Sequence, residues 1–256
     1  MVLGSNKNEQ FVEPYSKLAY IYDDVMAHVD YRHWSRYIQK IIKRWKPQAK
    51  KILDISCGTG NLLLKLDSRK YQLFGFDSSY DMLKIAIKKS KLLKMPICFW
   101  QSNMISFRLK RTADIIICLF DSINYLLNET CWKKVLDHVY EGLSDDGIFI
   151  FDICTDKNSI KYFHNYIEKK RGDNYYYIRE SKYDSQNRIH TNRFIIHFDS
   201  DKNTYVELHC QQIFLLNEVL NIIGTDSFQL LGFYDGFTFN RGSENSLRIH
   251  FVLKKK

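Results

Sequence analysis

LDISCGTG, Leu53–Gly60, joins an apolar run to a glycine-rich turn, and its reading decides the fold. KILDIS (Lys51–Ser56) reads as a short strand that CGTG breaks, and Asn61–Leu66 then reads as the opening of a helix. Glycines allow backbone conformations closed to other residues and let a ligand approach the main chain. A helix starting there would offer free N–H groups and the positive end of its dipole. YQLFGFD (Tyr71–Asp77) is the next strand, and Asp77 ends it, 19 residues after Gly58. An acid at that spacing suits ribose hydroxyls, because a carboxylate accepts two hydrogen bonds side by side. A tight strand-to-helix turn alone needs no such acid, so the combination points to a nucleotide-type ligand. The chain has no GxGxxG, which weakens a dehydrogenase, and no GxxxxGK[ST], which removes a phosphate-loop NTPase.

Outward from this loop, strands and helices alternate. Asp30–Trp45 carries apolar residues at helical spacing. Ser79–Lys94 is a helix, ICFWQS (Ile97–Ser102) a strand, and ADIIICLF (Ala113–Phe120) has the continuous apolar run of a buried parallel strand. Cys131–Leu143 is a helix ended by Ser-Asp-Asp-Gly, and GIFIFDI (Gly147–Ile153) a fifth strand. The pattern predicts an α/β fold with a doubly wound, mostly parallel seven-stranded sheet. It then changes. Tyr175–Tyr183, Ile189–Phe198 and Thr204–Phe214 read as strands separated by DSQNR and DSDKN, an antiparallel meander. Leu216–Ile223 resumes helix, and Phe228–Phe233 and Leu247–Leu253 close with two strands. The expected division is 1–154 with 216–256 as the α/β domain, including an N-terminal helical cap, and 155–215 as a β insertion acting as a lid.

Composition narrows the setting. With 45% hydrophobic and 26% charged residues the chain is ordinary globular protein. No apolar run approaches the ~20 residues of a membrane span. The first ten residues are polar and lack the apolar core of a secretion signal. The six cysteines form no CxxC pair, so no metal site is expected, and reduced cysteines fit a cytoplasmic protein. The net charge of +9 is dispersed, as Lys84, Lys88 and Lys91 on one helical face illustrate. A solvated surface accounts for it better than a nucleic-acid footprint.

DISCGTG resembles the DxGCGxG loop of class I S-adenosylmethionine (SAM)-dependent methyltransferases. The likeness continues through FDSSYDML (Phe76–Leu83), Asn103-Met104, ADIIICLFDSINYL (Ala113–Leu126) and LSDDGIFIFDI (Leu143–Ile153). HCQQIFLLNEV (His209–Val219) is similar to the HxQRxYxxxEI stretch of a small-molecule subgroup that includes sugar N-methyltransferases. The resemblance implies SAM as cofactor. Asp54, Ser56, Gly58 and Gly60 would surround its methionine portion and Asp77 its ribose. Ser78, Met82, Asn103 and Met104 would line the adenine slot, and Leu119 would sit beneath the sulfonium. Tyr22 would cap the methionine end, with Trp34 nearby; both are equally readable as core aromatics. Three positions depart from the pattern: Ser56 for Gly or Ala, Asn103 for Asp, and Gln212 for Arg.

Methyl transfer is an in-line displacement, so the protein mainly aligns the nucleophile, and a base helps only where a proton must leave. Asp121, Asn124 and Tyr125 follow the fourth strand at the carboxyl edge of the sheet, where ligands bind in open α/β folds. His209 is a candidate base, though a lone strand histidine is more often structural. The acceptor expected is a small molecule in an apolar pocket walled by Tyr175, Tyr176, Tyr177, Tyr183, Phe194, Phe198 and Phe214, unless these form only the insertion's own core. An RNA methyltransferase and a non-catalytic SAM-binding protein remain as competing readings, and the oligomeric state stays open.

Overall fold

A computed structural model describes residues 9–256. The secretion-signal reading falls largely on residues 1–8, outside the described residues. A short strand, β1 (Glu9–Phe11), and a one-turn helix, α1 (Tyr22–Val25), precede α2 (Tyr31–Trp45). The Asp30 carboxylate opens α2 by accepting from His33 N at 2.9 Å. Then follow β2 (Lys51–Asp54), β3 (Gln72–Asp77), α3 (Tyr80–Leu92), β4 (Ile97–Gln101), β5 (Ala113–Cys118), α4 (Glu129–Gly142) and β6 (Leu143–Cys154). Ser79 and Asn128 cap α3 and α4 by accepting from Met82 N and Cys131 N. The chain continues as α5 (Asp156–Phe163), β7 (Tyr166–Arg171), β8 (Tyr175–Asp184), β9 (Ile189–Phe198), β10 (Thr204–Gln212), α6 (Leu216–Ile223), β11 (Phe228–Asp235) and β12 (Arg248–Lys255).

The seven-stranded sheet has the order β11-β12-β6-β5-β2-β3-β4, and only β12 runs against the rest. β5 is buried on both faces: Ile116 and Cys118 join one core cluster, Ile115 and Ile117 the other. The chain runs from β2 to one edge through β3 and β4, then returns to β5 on the other side. That reversal opens a crevice at the carboxyl ends of β2 and β5.

The second sheet has the order β1-β10-β9-β8-β7. Strands β7 to β10 are antiparallel, and β1 pairs with β10 in parallel, Glu9 opposite Thr204. The N-terminal segment is wedged against it: Leu18, Ile21 and Val25 pack on Tyr175, Tyr177, Phe194 and Ile196.

The chain departs from the sequence reading in three places. Asn61–Leu66 is not a helix but a single 3-10 turn over Leu63–Lys65. Leu62, Leu63, Leu64 and Leu66 are all buried and Lys65 alone is exposed, which is not the wide polar face of a surface helix. Ser144-Asp145-Asp146 does not separate α4 from its strand but begins β6, with Asp146 at φ +56°. Finally, β1, α5 and β7 carry no sequence period strong enough to mark them; the burial of β7 shows no alternation.

Candidate functional site

The loop after β2 is fastened from within. Gly58 N donates to Asp77 Oδ2 at 2.8 Å, Ser79 N to Asp77 Oδ1 at 2.9 Å, and Ser56 N to Asp54 Oδ1 at 3.0 Å. The two carboxylates thus hold the loop by accepting its N–H groups, and the helix N-terminus expected after it is replaced by a 3-10 turn. Among the described residues neither carboxylate has a cationic partner. Burial, with the Asp77 charge adding to it, pushes the Asp54 carboxyl up to about 7, and burial raises Asp77 as well.

A cleft of about 900 Å³ opens beside this loop, bordered by Gly58, Asp77, Ser78, Met82, Asn103 and Met104. Gly58 has φ +53°, and a Cβ there would meet only Met82 Cε at 3.4 Å. Gly60 differs: its Cβ would press on Ala86 at 3.2 Å and Phe99 at 3.3 Å. It packs the loop onto α3 and β4 rather than facing the cleft. The Asn103 amide oxygen accepts from Ile105 N at 3.0 Å, so it already shapes its own turn. A smaller recess joins Asp54, Ser56, Leu119 and Tyr22.

A second cavity of about 750 Å³ lies between the carboxyl edge of the large sheet and the inner face of the small one, with Phe120, Tyr125, Arg179, His190 and His209 on its wall. Trp34 lines this cavity and not the cleft, stacked on Phe120 with ring centroids 4.1 Å apart. The expected apolar wall is corrected too. Of the seven aromatics named for it, Phe194 alone borders the cavity. Tyr175 and Tyr177 pack against Leu18, Ile21 and Val25 of the N-terminal segment, Tyr183 against Cys154 and Ile213, and Phe214 against the main core. The strand period sets the inward rows instead: Arg179–Phe194–Glu207, Ser181–Asn192–His209 and Tyr183–His190–Gln211. This face is largely polar, and most of it is buried.

Four of its neighbours form a chain. Tyr15 Oη and Tyr125 Oη lie 2.6 Å apart, Tyr125 Oη is 3.0 Å from His209 Nδ1, and His209 Nε2 is 3.1 Å from Glu207 Oε2. A carboxylate only accepts, so His209 carries its hydrogen on Nε2, and Tyr125 donates to Nδ1. Glu207 also accepts from the backbone N–H groups of Tyr15, Lys17 and Leu18 at 2.6 to 2.8 Å. Burial first, then the neighbouring phenol, holds the Tyr15 hydroxyl well above the usual tyrosine range. Asp23 latches the same N-terminal segment to the glycine loop by accepting from Thr59 Oγ1 and Asn61 Nδ2.

The other candidates at the end of β5 are engaged. Phe120 and Asp121 take left-handed conformations, φ +60° and +51°. Asp121 accepts from Arg248 Nη2 at 2.6 Å and Gln211 Nε2 at 2.8 Å. Asn124 is fully buried; it donates to Gln212 O and accepts from Cys154 N. It braces the wall and does not line either space. Sequence reasoning missed Tyr15, Glu207, Arg179, His190 and Arg248. For the four on strands the signal was polar residues recurring at every second position; Tyr15, in a turn, carried none.

A family profile described as "Methyltransferase domain" matches residues 52–147. A protein of Geobacillus sp. (strain WCH70), provisionally named a methyltransferase, is 31% identical over 245 residues, covering 94% of this chain and 99% of that one. An S-adenosylmethionine-dependent methyltransferase from Clostridium acetobutylicum ATCC 824 has the same fold, with a TM-score of 0.80 at 23% identity, covering 93% of this chain and 98% of that one. The sugar N-methyltransferase KedS8 from Streptoalloteichus sp. ATCC 53650 follows at 0.72 and 17%, covering 98% and 96%. Among the described residues no helix is long and apolar enough to cross a membrane. With its glycine loop and Asp77 at the crevice of a mostly parallel sheet with one reversed strand, the chain belongs to the class I SAM-dependent methyltransferases.

Proposed function

We propose that the chain methylates a nitrogen or oxygen nucleophile of a small molecule held in the second cavity. The observation that carries this reading is a shared wall. Tyr15, Tyr22 and Tyr125 border both the cleft and the second cavity, so two ligands would meet across three phenols. The fold relative described as a sugar N-methyltransferase supports a small acceptor.

The residues fit the cofactor. Asp77 faces the cleft with no cation beside it, as a ribose partner should. The space at Gly58 is open because no side chain fills it. Asp54 is a buried carboxyl that a positive charge would favour. In this reading Asp54, Ser56 and Gly58 hold the methionine portion, and Asp77 holds the ribose. Ser78, Met82, Asn103 and Met104 line the adenine slot, Leu119 lies under the sulfonium, and Tyr22 caps the methionine end. SAM supplies a methyl group on a sulfonium leaving group, so alignment is most of what the protein must add. The phenols exclude water from the meeting point. Where the nucleophile must lose a proton, Tyr125 oxygen takes it as Tyr125 passes its own to His209 Nδ1, and Glu207 steadies the resulting cation. Residues 155–215 serve as the acceptor-side lid on the domain formed by 1–154 and 216–256. Six free cysteines suit a reducing cytoplasm.

The test is transfer of label from methyl-labelled SAM, offered total RNA in one reaction and a small-metabolite extract in another. Label in the extract alone is expected. Label in RNA, lost steeply as salt rises, would overturn the reading.

A further inference from the structure

The inner face of the small sheet holds a cation, Arg179, that forms no ion pair among the described residues. Arg179, on β8, donates Nε to Asn192 Oδ1 at 2.9 Å. Its guanidinium carbon lies 5.1 Å from the Phe163 ring centroid and 5.5 Å from that of Phe194. Two rings and one hydrogen bond thus fix the plane of the fork. Its terminal nitrogens have no partner among the described residues, and the residue borders the second cavity. By contrast Arg248, in the same cavity, is bound to both Asp121 and Asp152.

A second unmet donor stands beside it. His190 is 2% exposed and borders the same cavity, and its Nδ1 has no partner. Its tautomer follows from the neighbours. Asn192 Oδ1 accepts from Arg179 Nε and from Ser181 Oγ, so the Asn192 nitrogen is the atom that faces His190 Nε2, at 3.3 Å. That nitrogen donates, Nε2 accepts, and the ring hydrogen sits on the orphaned Nδ1. Burial lowers the His190 pKa to about 4, so the ring is a neutral donor. Lys157, at the mouth, meets only the carbonyl of Asn245. Of the two carboxylates on the wall, Asp121 is taken by Arg248 and Gln211, and Asp235 is on β11 of the large sheet.

A half-buried guanidinium held in plane on a cavity wall, with a buried imidazole N–H near it and no acceptor for either among the described residues, suits an anion. We infer that the methyl acceptor carries an anionic oxyacid group, a carboxylate or a phosphate ester, which the Arg179 fork holds in the second cavity with His190 beside it. This rests on the acceptor reading above and narrows it. Phe194 packs between Arg179 and His209, 5.4 Å from the His209 ring, so the anion sits one aromatic residue away from the Tyr125–His209 end. The nucleophile and the anionic group therefore belong to opposite ends of one small molecule.

Two measurements test this on the full chain. In the first, inorganic phosphate and succinate are titrated calorimetrically with S-adenosylhomocysteine present, against wild type, Arg179→Gln and Arg179→Lys. At least one anion should bind wild type in the millimolar range. Arg179→Gln should weaken it tenfold or more, Arg179→Lys less, with S-adenosylhomocysteine binding unchanged in all three. Absence of binding to wild type, or equal binding by Arg179→Gln, overturns the proposal. Failure of S-adenosylhomocysteine to bind overturns the cofactor assignment instead. In the second, labelled products from the metabolite extract are passed over a strong anion-exchange resin at high pH, where a methylated amine is neutral and cannot cancel the anion's charge. Retention supports the proposal, and release by phosphatase distinguishes a phosphate ester from a carboxylate. Label confined to the unretained fraction overturns it.

Discussion

Glu207 and His209 lie two residues apart on β10, project from the same face, and meet at 3.1 Å with 0% and 2% of their side chains exposed. The carboxylate is also the anchor of the N-terminal segment, since Tyr15 N, Lys17 N and Leu18 N all donate to it. One buried charge thus orients the imidazole and seats Tyr15, which borders both cavities.

The first prediction separates these two duties. His209→Asn should lower kcat by roughly 10²-fold or more for an acceptor that must lose a proton. S-adenosylhomocysteine affinity should stay within a few-fold of wild type. Glu207→Gln should weaken both, because the N-terminal segment loses a charged acceptor. Calorimetry and single-turnover rates with labelled SAM measure the pair. An unchanged kcat in His209→Asn removes the proton path from the mechanism.

Asp77 is the second. Asp77→Ala should weaken SAM by about 1.5–3 kcal/mol, roughly tenfold to a hundredfold, since two hydroxyls lose a charged acceptor. Asp77→Asn keeps one oxygen for Gly58 N or Ser79 N and should do less harm. Equal SAM affinity in Asp77→Ala would disprove the ribose assignment.

The third concerns stability. Arg248 is bound to Asp121 and to the fully buried Asp152, whose carboxyl burial already pushes up to about 6. Arg248→Met leaves both carboxylates without a cation and should cost roughly 3–5 kcal/mol near pH 8. The sign with pH follows from linkage. An acid whose folded pKa is raised holds its proton better in the folded state, so stability falls as pH rises from the unfolded value through the folded one. The deficit of Arg248→Met should therefore shrink towards pH 5.5. Urea melts at the two pH values decide it, and an equal deficit at both would show that the carboxylates are not the cause.

What the sequence revealed, and what it hid, follows from distance along the chain. β5 was legible because burial on both faces leaves an unbroken apolar run, Ala113–Cys118. The border of the cleft was legible because Gly58, Asp77 and Ser78 belong to two neighbouring strand ends that carry a family pattern. Asn61–Leu66 misled because its leucines mimic a helix start, while their burial leaves no wide polar face and the chain makes only a 3-10 turn. The second cavity was hidden for a different reason. Tyr15 meets Glu207 across 192 positions and Tyr125 meets His209 across 84, and no local period encodes such pairs. The aromatics of β8 were read as cavity wall because counting residue types ignores position along the strand: Tyr175 and Tyr177 face inward but are covered by the N-terminal segment. Every second position faces inward, and beyond Tyr177 those positions are Arg179, Ser181 and Tyr183.

The last prediction uses Asp54. It is 4% exposed, without a cation, and its carboxyl is raised to about 7 by burial and by Asp77. Below that pH the free protein carries Asp54 protonated, and above it ionised. A ligand that brings positive charge to the loop favours the ionised form and must displace the proton at lower pH. SAM affinity should therefore rise with pH up to about 7 and level off above it, with proton release on binding near pH 6. Between pH 8 and pH 6 the weakening should approach roughly tenfold, one pKa unit being a factor of ten. S-adenosylhomocysteine, which lacks the sulfonium charge, should show a smaller dependence. Calorimetry in buffers of different ionisation enthalpy reads the released proton directly. Asp54→Asn should flatten the profile, and the difference between the two proteins isolates this side chain, because the titration of the ligand is common to both. A wild-type profile as flat as that of Asp54→Asn would place the positive charge of the cofactor away from Asp54.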